Sequence, residues 1–327
     1  MQTRHRERND RTSPGNDTGC SNEKHLRIEA GEDAQRVHLT MNGFTTYSGA
    51  DAATATVNAG GANIPVLGFG TYGMSGPRLQ NVLVAALQRG FRHIDTAQMY
   101  QNESDVGIAI RASHVPRDAI FVTTKVWVSN YSRQQFMATL DESLRRLQSD
   151  HIDLLLVHWP HGGASIEEQI DSLNRAADSG KVRHIGVSNY NVAMMRAAAL
   201  LSTRPLVTNQ VEYHPFLDQT AVLRQVASIG SSLTAYCGMA VGRVFDTPLL
   251  KDLAARHGRS VAQVVLRWLI QQPGVIALSR TQNIERIPQN TNIFDFTLTD
   301  DDMAAIGTLR SPGSRIVNPP HLAPAWD

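Results

Sequence analysis

The sequence predicts an α/β fold, a closed (β/α)₈ TIM barrel with two extra helices and a C-terminal loop that helps to form the substrate site. Three observations carry this expectation. Between Val66 and Leu309, short apolar runs alternate with amphipathic stretches, giving eight strand candidates. Most of the runs are apolar throughout, as expected of a parallel sheet covered on both faces. No linker-like segment interrupts them, and barrels of this kind take about 250 residues as one unit.

Taken in order, the first candidate strand is Val66–Gly70. Leu79, Val82, Leu83, Ala86 and Leu87 then fall at helical spacing, and Gly90 supplies a stop. Arg92–Asp95 and Ile120–Lys125 are the second and third strands. Ser132 with Gln135 resembles a capping box ahead of Phe136, Leu140, Leu144 and Leu147. Ile152–His158 is the fourth strand, and Ser165 with Glu168 repeats the signal before Ile170, Leu173 and Ala177. His184–Ser188, Val207–Val211, Leu233–Tyr236 and Val275–Ser279 complete the set. Ser260 with Gln263 opens one more helix. Two helical patterns, near Val261–Gln272 and Asp300–Leu309, are surplus and are expected to pack outside the barrel. The Pro-rich tail Ser311–Asp327 reads as irregular.

The first forty residues differ from the rest. Polar and aromatic-free, they cannot bury enough surface to order themselves, so residues 1–42 are expected to be a disordered extension and 43–327 the barrel domain. Met41 is a candidate initiator, and a regulatory tail is the alternative. The segment lacks the apolar core of a secretory signal, and its acidic residues argue against a transit peptide.

Composition narrows the function classes. A net charge of +1 gives no electrostatic case for nucleic acid or an anionic membrane as partner. No apolar run approaches the roughly 20 residues of a spanning helix. Cys20 and Cys237, the only 2 cysteines, imply no disulfide framework and fit a reducing, cytoplasmic setting. A monomer acting on a small molecule is expected.

Gly68-Phe-Gly70-Thr-Tyr-Gly73 matches the dinucleotide fingerprint G-x-G-x-x-G, with Asp95 at a suitable distance. The context is wrong for it. The third glycine should open the helix that receives the pyrophosphate, yet Met74-Ser-Gly-Pro77 intervenes and Pro77 looks like the first helical position.

Four polar residues sit at or just beyond the C-terminal ends of candidate strands: Asp95, Tyr100, Lys125 and His158. In a barrel those ends share one mouth, where active sites form. A lysine beside a tyrosine is expected to lower the phenol's pKa from about 10. Asp95 would hold Lys125, and His158 would orient a carbonyl oxygen, which makes Tyr100 a general acid. Each residue alone has a structural reading: an Asp95–Lys125 ion pair, a core histidine, a tyrosine packed on the rim. His158-x-x-His161 has no third ligand at a sensible spacing, so no metal is expected.

Together the four are more specific. IDTAQMYQNE (Ile94–Glu103), TTKVW (Thr123–Trp127), LLLVHWP (Leu154–Pro160), IGVSNYN (Ile185–Asn191) and NQVEYHP (Asn209–Pro215) resemble the signatures of the aldo-keto reductases in order and spacing. The likeness runs from about Ile64 to the C-terminus. Within the family it is greatest to the bacterial 2,5-diketo-D-gluconate reductase B and methylglyoxal reductase group, whose ending SRIVNPPHLAPAWD (Ser314–Asp327) resembles.

The resemblance implies NADPH as cofactor and a catalytic tetrad at Asp95, Tyr100, Lys125 and His158. By position, Ser188, Asn189 and Gln210 would hold the nicotinamide carboxamide and Tyr236 would stack on the ring. Gly70 and Thr71 would lie beside the cofactor. Arg280, Thr281, Arg286, Gln289 and Asn290, with Glu285, match the segment that grips the adenosine 2′-phosphate, Arg280 replacing the usual lysine. A solvated basic surface is the plainer reading of these cations. Two departures bear on cofactor affinity. Cys237-Gly238-Met239 stands where Ser-Pro-Leu is usual, and Ser279 replaces a proline. Tyr72, Trp127 and Trp159 are candidates for an aromatic substrate pocket, with rim packing as the alternative, and the tail after Ser311 is expected to supply the remaining wall.

The expected reaction is reduction of an aldehyde or ketone by hydride transfer, Tyr100 donating the proton. Small α-dicarbonyls or keto-sugars follow from the resemblance. The short loop His161–Ala164 suggests an open mouth and admits a bulkier xenobiotic or secondary-metabolite ketone. Two rivals remain: a non-catalytic NADPH-binding regulatory barrel, and a hydrolase using Asp95 and Glu212 as paired carboxylates.

Overall fold

Eight strands close into one parallel barrel, and all eight are those expected from sequence. The computed structural model describes Tyr47 and residues 49–327, so the expected extension at 1–42 lies outside the described residues. A hairpin, β1 (Thr56–Ala59) and β2 (Ala62–Pro65), precedes the barrel. Gly60 and Gly61 form its turn at φ +54° and +85°, a geometry that glycine adopts without strain. The Gly60 amide donates to the Gly230 carbonyl, just ahead of a barrel strand, so the hairpin packs at the N-terminal end of the barrel. Sequence periodicity gave no hint of this pair, because four-residue strands are too short to show a period.

The barrel then alternates strand and helix: β3 (Leu67–Gly70), α1 (Gly76–Gln88), β4 (His93–Asp95), α2 (Glu103–Ala112), β5 (Phe121–Val126) and α3 (Arg133–Leu147). It continues with β6 (Ile152–Val157), α4 (Ile166–Asp178), β7 (Val182–Ser188), α5 (Val192–Leu201), β8 (Leu206–Glu212) and α6 (Thr220–Ser228). β9 (Ser232–Tyr236), α7 (Pro248–His257), α8 (Val261–Ile270), β10 (Val275–Ser279), α9 (Ile287–Thr291) and α10 (Asp300–Gly307) complete it. β10 pairs with both β9 and β3, which leaves no edge. β6 and β8 are buried at every position; β6 accordingly carries the apolar run Leu154–Val157, whereas β8 buries Thr208, Asn209, Gln210 and Glu212 as well.

Helix starts follow their caps. Ser165 and Ser260 form full capping boxes with Glu168 and Gln263, whereas Ser132 accepts from the Gln135 amide without the return bond. Gly73 lies before the α1 N-cap Ser75 and has φ +69°, so the G-x-G-x-x-G stretch does not open the helix.

The identity of the surplus helices is corrected in one case. α8 is buried at eight of its positions, Gln263 to Ile270, and packs on β10, so it is a barrel helix. The additional helices are α7, which packs on α8 and α10 and buries only Leu250, Leu253 and Ala254, and α10 itself. In sequence the capped, amphipathic start of α8 resembles that of a surface helix, and α7 shows a weaker apolar face.

One irregularity bears on the mouth. Between β7 and β8 the register shifts, Ile185 facing Leu206 but Val187 facing Asn209. Gly186 sits at the shift, where a Cβ would come within 2.7 Å of the Thr208 carbonyl oxygen. Such a bulge re-aims the residues beyond it, and it sets Ser188 abreast of Gln210.

Candidate active site

Asp95, Lys125 and His158 come together at the C-terminal mouth, as their positions at the ends of β4, β5 and β6 require. Lys125 is fully buried and its Nζ donates to Asp95 Oδ1 at 2.6 Å and to the Thr96 carbonyl at 2.9 Å. Tyr100 closes a 3₁₀ turn, Gln98–Tyr100, that ends on Gln101 at φ +55°. Its hydroxyl lies 3.4 Å from Lys125 Nζ, and its ring meets the His158 ring edge-on at 5.7 Å. Asn102 braces this turn. Fully buried, it accepts from the Thr96 hydroxyl and donates to the carbonyls of Thr71 and Met74. Sequence reasoning missed Asn102, although it stands inside the IDTAQMYQNE stretch.

The electrostatics correct one expectation. The Tyr100 hydroxyl is pushed well above the usual phenol range, by burial first and then by the Asp95 carboxylate. The Lys125 ammonium does not offset this, because it lies closest to Asp95 and is itself depressed by burial. His158 is held well below its ordinary value by burial and by the Lys125 charge, so its imidazole is neutral. Its Nδ1 is buried without a hydrogen-bond partner.

The residues expected to hold a nicotinamide form a continuous network beside this cluster. Gln210 donates to Asp95 Oδ2 at 2.7 Å, and the Ser188 hydroxyl donates to the Gln210 carbonyl at 2.8 Å. Asn189, at φ +62°, donates to the His158 carbonyl and accepts from the Tyr236 hydroxyl at 2.6 Å. Gly70 pairs with Asp95 in the sheet, and the Thr71 hydroxyl donates to the Asp95 carbonyl.

Beyond β10, Arg280 reaches over Gly73 and donates to its carbonyl at 3.5 Å, joining the ends of β10 and β3. Arg286, Glu285 and Gln289 are exposed. Thr281 is buried and bonds the Asn283 carbonyl, and Asn290 is turned inward onto the Ser279 hydroxyl at 2.9 Å. Ser279 thus has a structural partner that a proline could not provide.

Two of the three pocket aromatics reach the tyrosine–histidine pair. Tyr72, 58% exposed, packs edge-on against Tyr100 at 5.1 Å, and Trp127 meets His158 at 5.2 Å. Trp159 is buried and packs instead against Trp326 of the tail. That tail is tied down in three places. Glu212 accepts the amides of Ile316 and Val317, each at 2.8 Å, and Asn191 donates to the Ala325 carbonyl. The Val192 amide donates to Asp327 Oδ2. Glu212 also bonds His214 at 2.9 Å, so it holds the tail while Asp95 pairs with Lys125, and no contact joins the two carboxylates.

A search against family descriptions matches the aldo/keto reductase family over residues 66–310, most of the chain. The chain belongs to the aldo/keto reductase family. Membership makes it an NADPH-dependent oxidoreductase. This aldo/keto reductase is 36% identical to methylglyoxal reductase DkgB of Yersinia pestis over 81% of its own length and 100% of the relative's. It shares 42% identity with an aldo-keto reductase of Mycobacterium sp. (strain MCS), covering 76% of this chain and 88% of that one. A crystal structure of a candidate 2,5-diketo-D-gluconic acid reductase B is 54% identical, with a TM-score of 0.82, covering 83% of this chain and 97% of the other. The Bombyx mori aldo-keto reductase, solved in complex with NADP, has a TM-score of 0.72 at 34% identity, covering 76% of this chain and 90% of that one. Among the described residues no helix is long and apolar enough to cross a membrane, and no three His, Cys, Asp or Glu gather as for a metal ion.

Proposed function

We propose that this aldo/keto reductase reduces an α-dicarbonyl or keto-sugar with NADPH, with Tyr100 as the general acid. The observation that carries the proposal is the part-buried contact of the Tyr100 hydroxyl with Lys125 Nζ, at 3.4 Å, beside the neutral His158. A phenol with a raised pKa is fully protonated near neutral pH, and so carries the proton that a developing alkoxide requires. As the proton leaves, the Lys125 ammonium stabilises the phenolate, and Asp95 fixes that ammonium in place. His158 orients the carbonyl oxygen as a neutral imidazole.

The donor set fits a nicotinamide dinucleotide phosphate. Arg280 and Arg286 are exposed at the end of β10 and neither has an ionic partner among the described residues, which suits a phosphate. Ser188, Asn189 and Gln210 present a hydroxyl and two amides side by side, as a carboxamide needs, and the Tyr236 ring flanks them. By the family resemblance, Thr281, Gln289, Asn290, Gly70 and Thr71 would complete the cofactor's surroundings. NADPH supplies the hydride when bound. Tyr72 and Trp127 supply an aromatic edge to the substrate site. The α-dicarbonyl assignment draws support from the relatives named methylglyoxal reductase. We take the barrel, residues 43–327, to act as a cytoplasmic monomer.

The test compares wild type with Tyr100→Phe for NADPH oxidation on methylglyoxal and on a bulky aromatic ketone. Loss of turnover on both, in a variant that still binds NADPH, supports Tyr100 as the acid. Tight NADPH binding without turnover in either protein would instead indicate a regulatory barrel. A preference for the bulky ketone would overturn the substrate assignment alone.

A further inference from the structure

The turn that carries Tyr100 is anchored by a side chain to which the reaction above gives no part. Gln98 opens the 3₁₀ turn Gln98–Tyr100, and its side chain is buried and reaches across to α3. Nε2 donates to the Thr139 carbonyl at 3.2 Å and to the Ser143 hydroxyl at 3.1 Å. Oε1 accepts from the Trp127 amide at 3.0 Å and from Asn130 Nδ2 at 2.9 Å. Two donors and two acceptor sites are all that a primary amide has, so every hydrogen-bonding position of Gln98 is filled. Turning the amide over would set Nε2 against the Trp127 N–H and Oε1 against the Thr139 carbonyl, so one orientation alone satisfies the site.

The partners lead back to the acid. Trp127 directly follows β5, the strand of Lys125, and stands at the head of the 3₁₀ turn Val128–Asn130. Its ring meets His158 at 5.2 Å, and His158 meets Tyr100 at 5.7 Å. A ring of contacts therefore runs from the Tyr100 turn through Gln98, Trp127 and His158 back to Tyr100. A single 3₁₀ turn holds itself weakly. Two side-chain amides brace this one from its two ends, Gln98 toward β5 and α3 and Asn102 toward the Thr71 and Met74 carbonyls.

We propose that Gln98 is a positioning residue for the reduction: its amide sets the spacing between the Tyr100 hydroxyl and His158, so that acid and imidazole address one carbonyl oxygen. The proposal rests on the reductase reading and adds to it a residue that acts only through others.

The experiment follows NADPH oxidation on methylglyoxal and on benzaldehyde, with wild type, Gln98→Met, Gln98→Glu and Asn130→Ala. NADPH affinity, thermal unfolding and the isotope effect from NADPH deuterated in the transferred position are measured alongside. Gln98→Met keeps the length of the side chain and removes its hydrogen bonds. Its kcat should fall about 100-fold on both substrates, the rate cost of a displacement near 1 Å. The isotope effect on kcat should rise, because the chemical step is the one slowed, and NADPH affinity should hold within about twofold, under the value of one hydrogen bond. Gln98→Glu keeps the acceptor for Trp127 and Asn130 but can donate to Thr139 only when protonated. Its kcat should therefore fall as the pH rises, where the wild type is flat. Asn130→Ala removes one bond at a half-buried side chain, and kcat should fall about threefold, the value of one neutral hydrogen bond.

A lower unfolding temperature in Gln98→Met with unchanged kcat would make Gln98 a strut of the fold, and a parallel loss of NADPH affinity would mean collapse of the whole mouth; either overturns the proposal. If Gln98→Met does not fold, Asn130→Ala decides, and a kcat equal to that of the wild type overturns it. A wild type inactive on both substrates would remove the reductase reading itself, and this inference with it.

Discussion

Replacing Asp95 with asparagine tests the core of the site, since it keeps the volume and removes the charge. Lys125 is fully buried, and after the change its ammonium would keep as acceptors the Thr96 carbonyl, the more distant Tyr100 hydroxyl and, at best, one amide oxygen. Gln210 Nε2 now donates to Asp95 Oδ2 while Lys125 takes Oδ1, and the single oxygen of an asparagine leaves one of these two donors short. Removing one partner of a buried ion pair costs about 3–5 kcal/mol. An upper bound comes from deprotonation, because Lys125 can escape the penalty by folding neutral. At pH 7 that costs about 4.6 kcal/mol, from a reference value near 10.4 and about 1.36 kcal/mol per pH unit. The two limits agree. Denaturant unfolding at constant m-value gives the measurement. Its pH dependence gives the sign: with Lys125 neutral in the folded variant and protonated when unfolded, the unfolded chain binds the extra proton. The deficit should then shrink by up to about 1.4 kcal/mol per pH unit between pH 7 and 10. Adding Lys125→Met should restore much of the loss. A deficit below about 1 kcal/mol that is independent of pH would refute the buried pair, since it is the value of an exposed one.

Other outcomes follow from the same geometry. Because Tyr100 is raised and His158 lowered, neither titrates between about pH 6 and 9, so kcat for reduction measured on a neutral substrate should be flat there; a limb near pH 7 would contradict the assignment. His93, buried between Thr123 and the Pro65 carbonyl, is lowered to about 4. It stays neutral when folded while the unfolded chain takes up a proton near pH 6.5, so its contribution is complete above that pH and is lost as the pH falls toward 4. The loss is about 3 kcal/mol, read by denaturant unfolding across that window and absent from His93→Gln. Gly162, at φ +119°, has room for no Cβ, which would lie 2.8 Å from the Val128 Cβ and 3.1 Å from Leu322 of the tail. Gly162→Ala should cost about 1–3 kcal/mol in thermal unfolding and raise KM by loosening the tail.

Much of the barrel was legible because most strand positions are buried on both faces and several strands so announce themselves as apolar runs, as in Leu154-Leu155-Leu156-Val157. The candidate acid and its neighbours were legible for a related reason. A charged side chain such as Lys125 within a buried strand needs a partner, and the strand end is where a barrel can provide one. The hairpin β1–β2 and the role of α7 were not legible, since four residues show no period and α7 differs from α8 only in what packs on it.

The sequence by itself determined the strand order, the helix starts with their caps, and the residues that meet at the mouth, because these depend on local pattern and on one topology. Only the tertiary structure decided the electrostatics. The expected lowering of Tyr100 became a raising because dehydration at the mouth outweighs an ammonium already committed to Asp95. It also decided the tail, where Glu212 is recruited to hold two amides. Burial and long-range pairing set both, and neither is a property of any short stretch of chain.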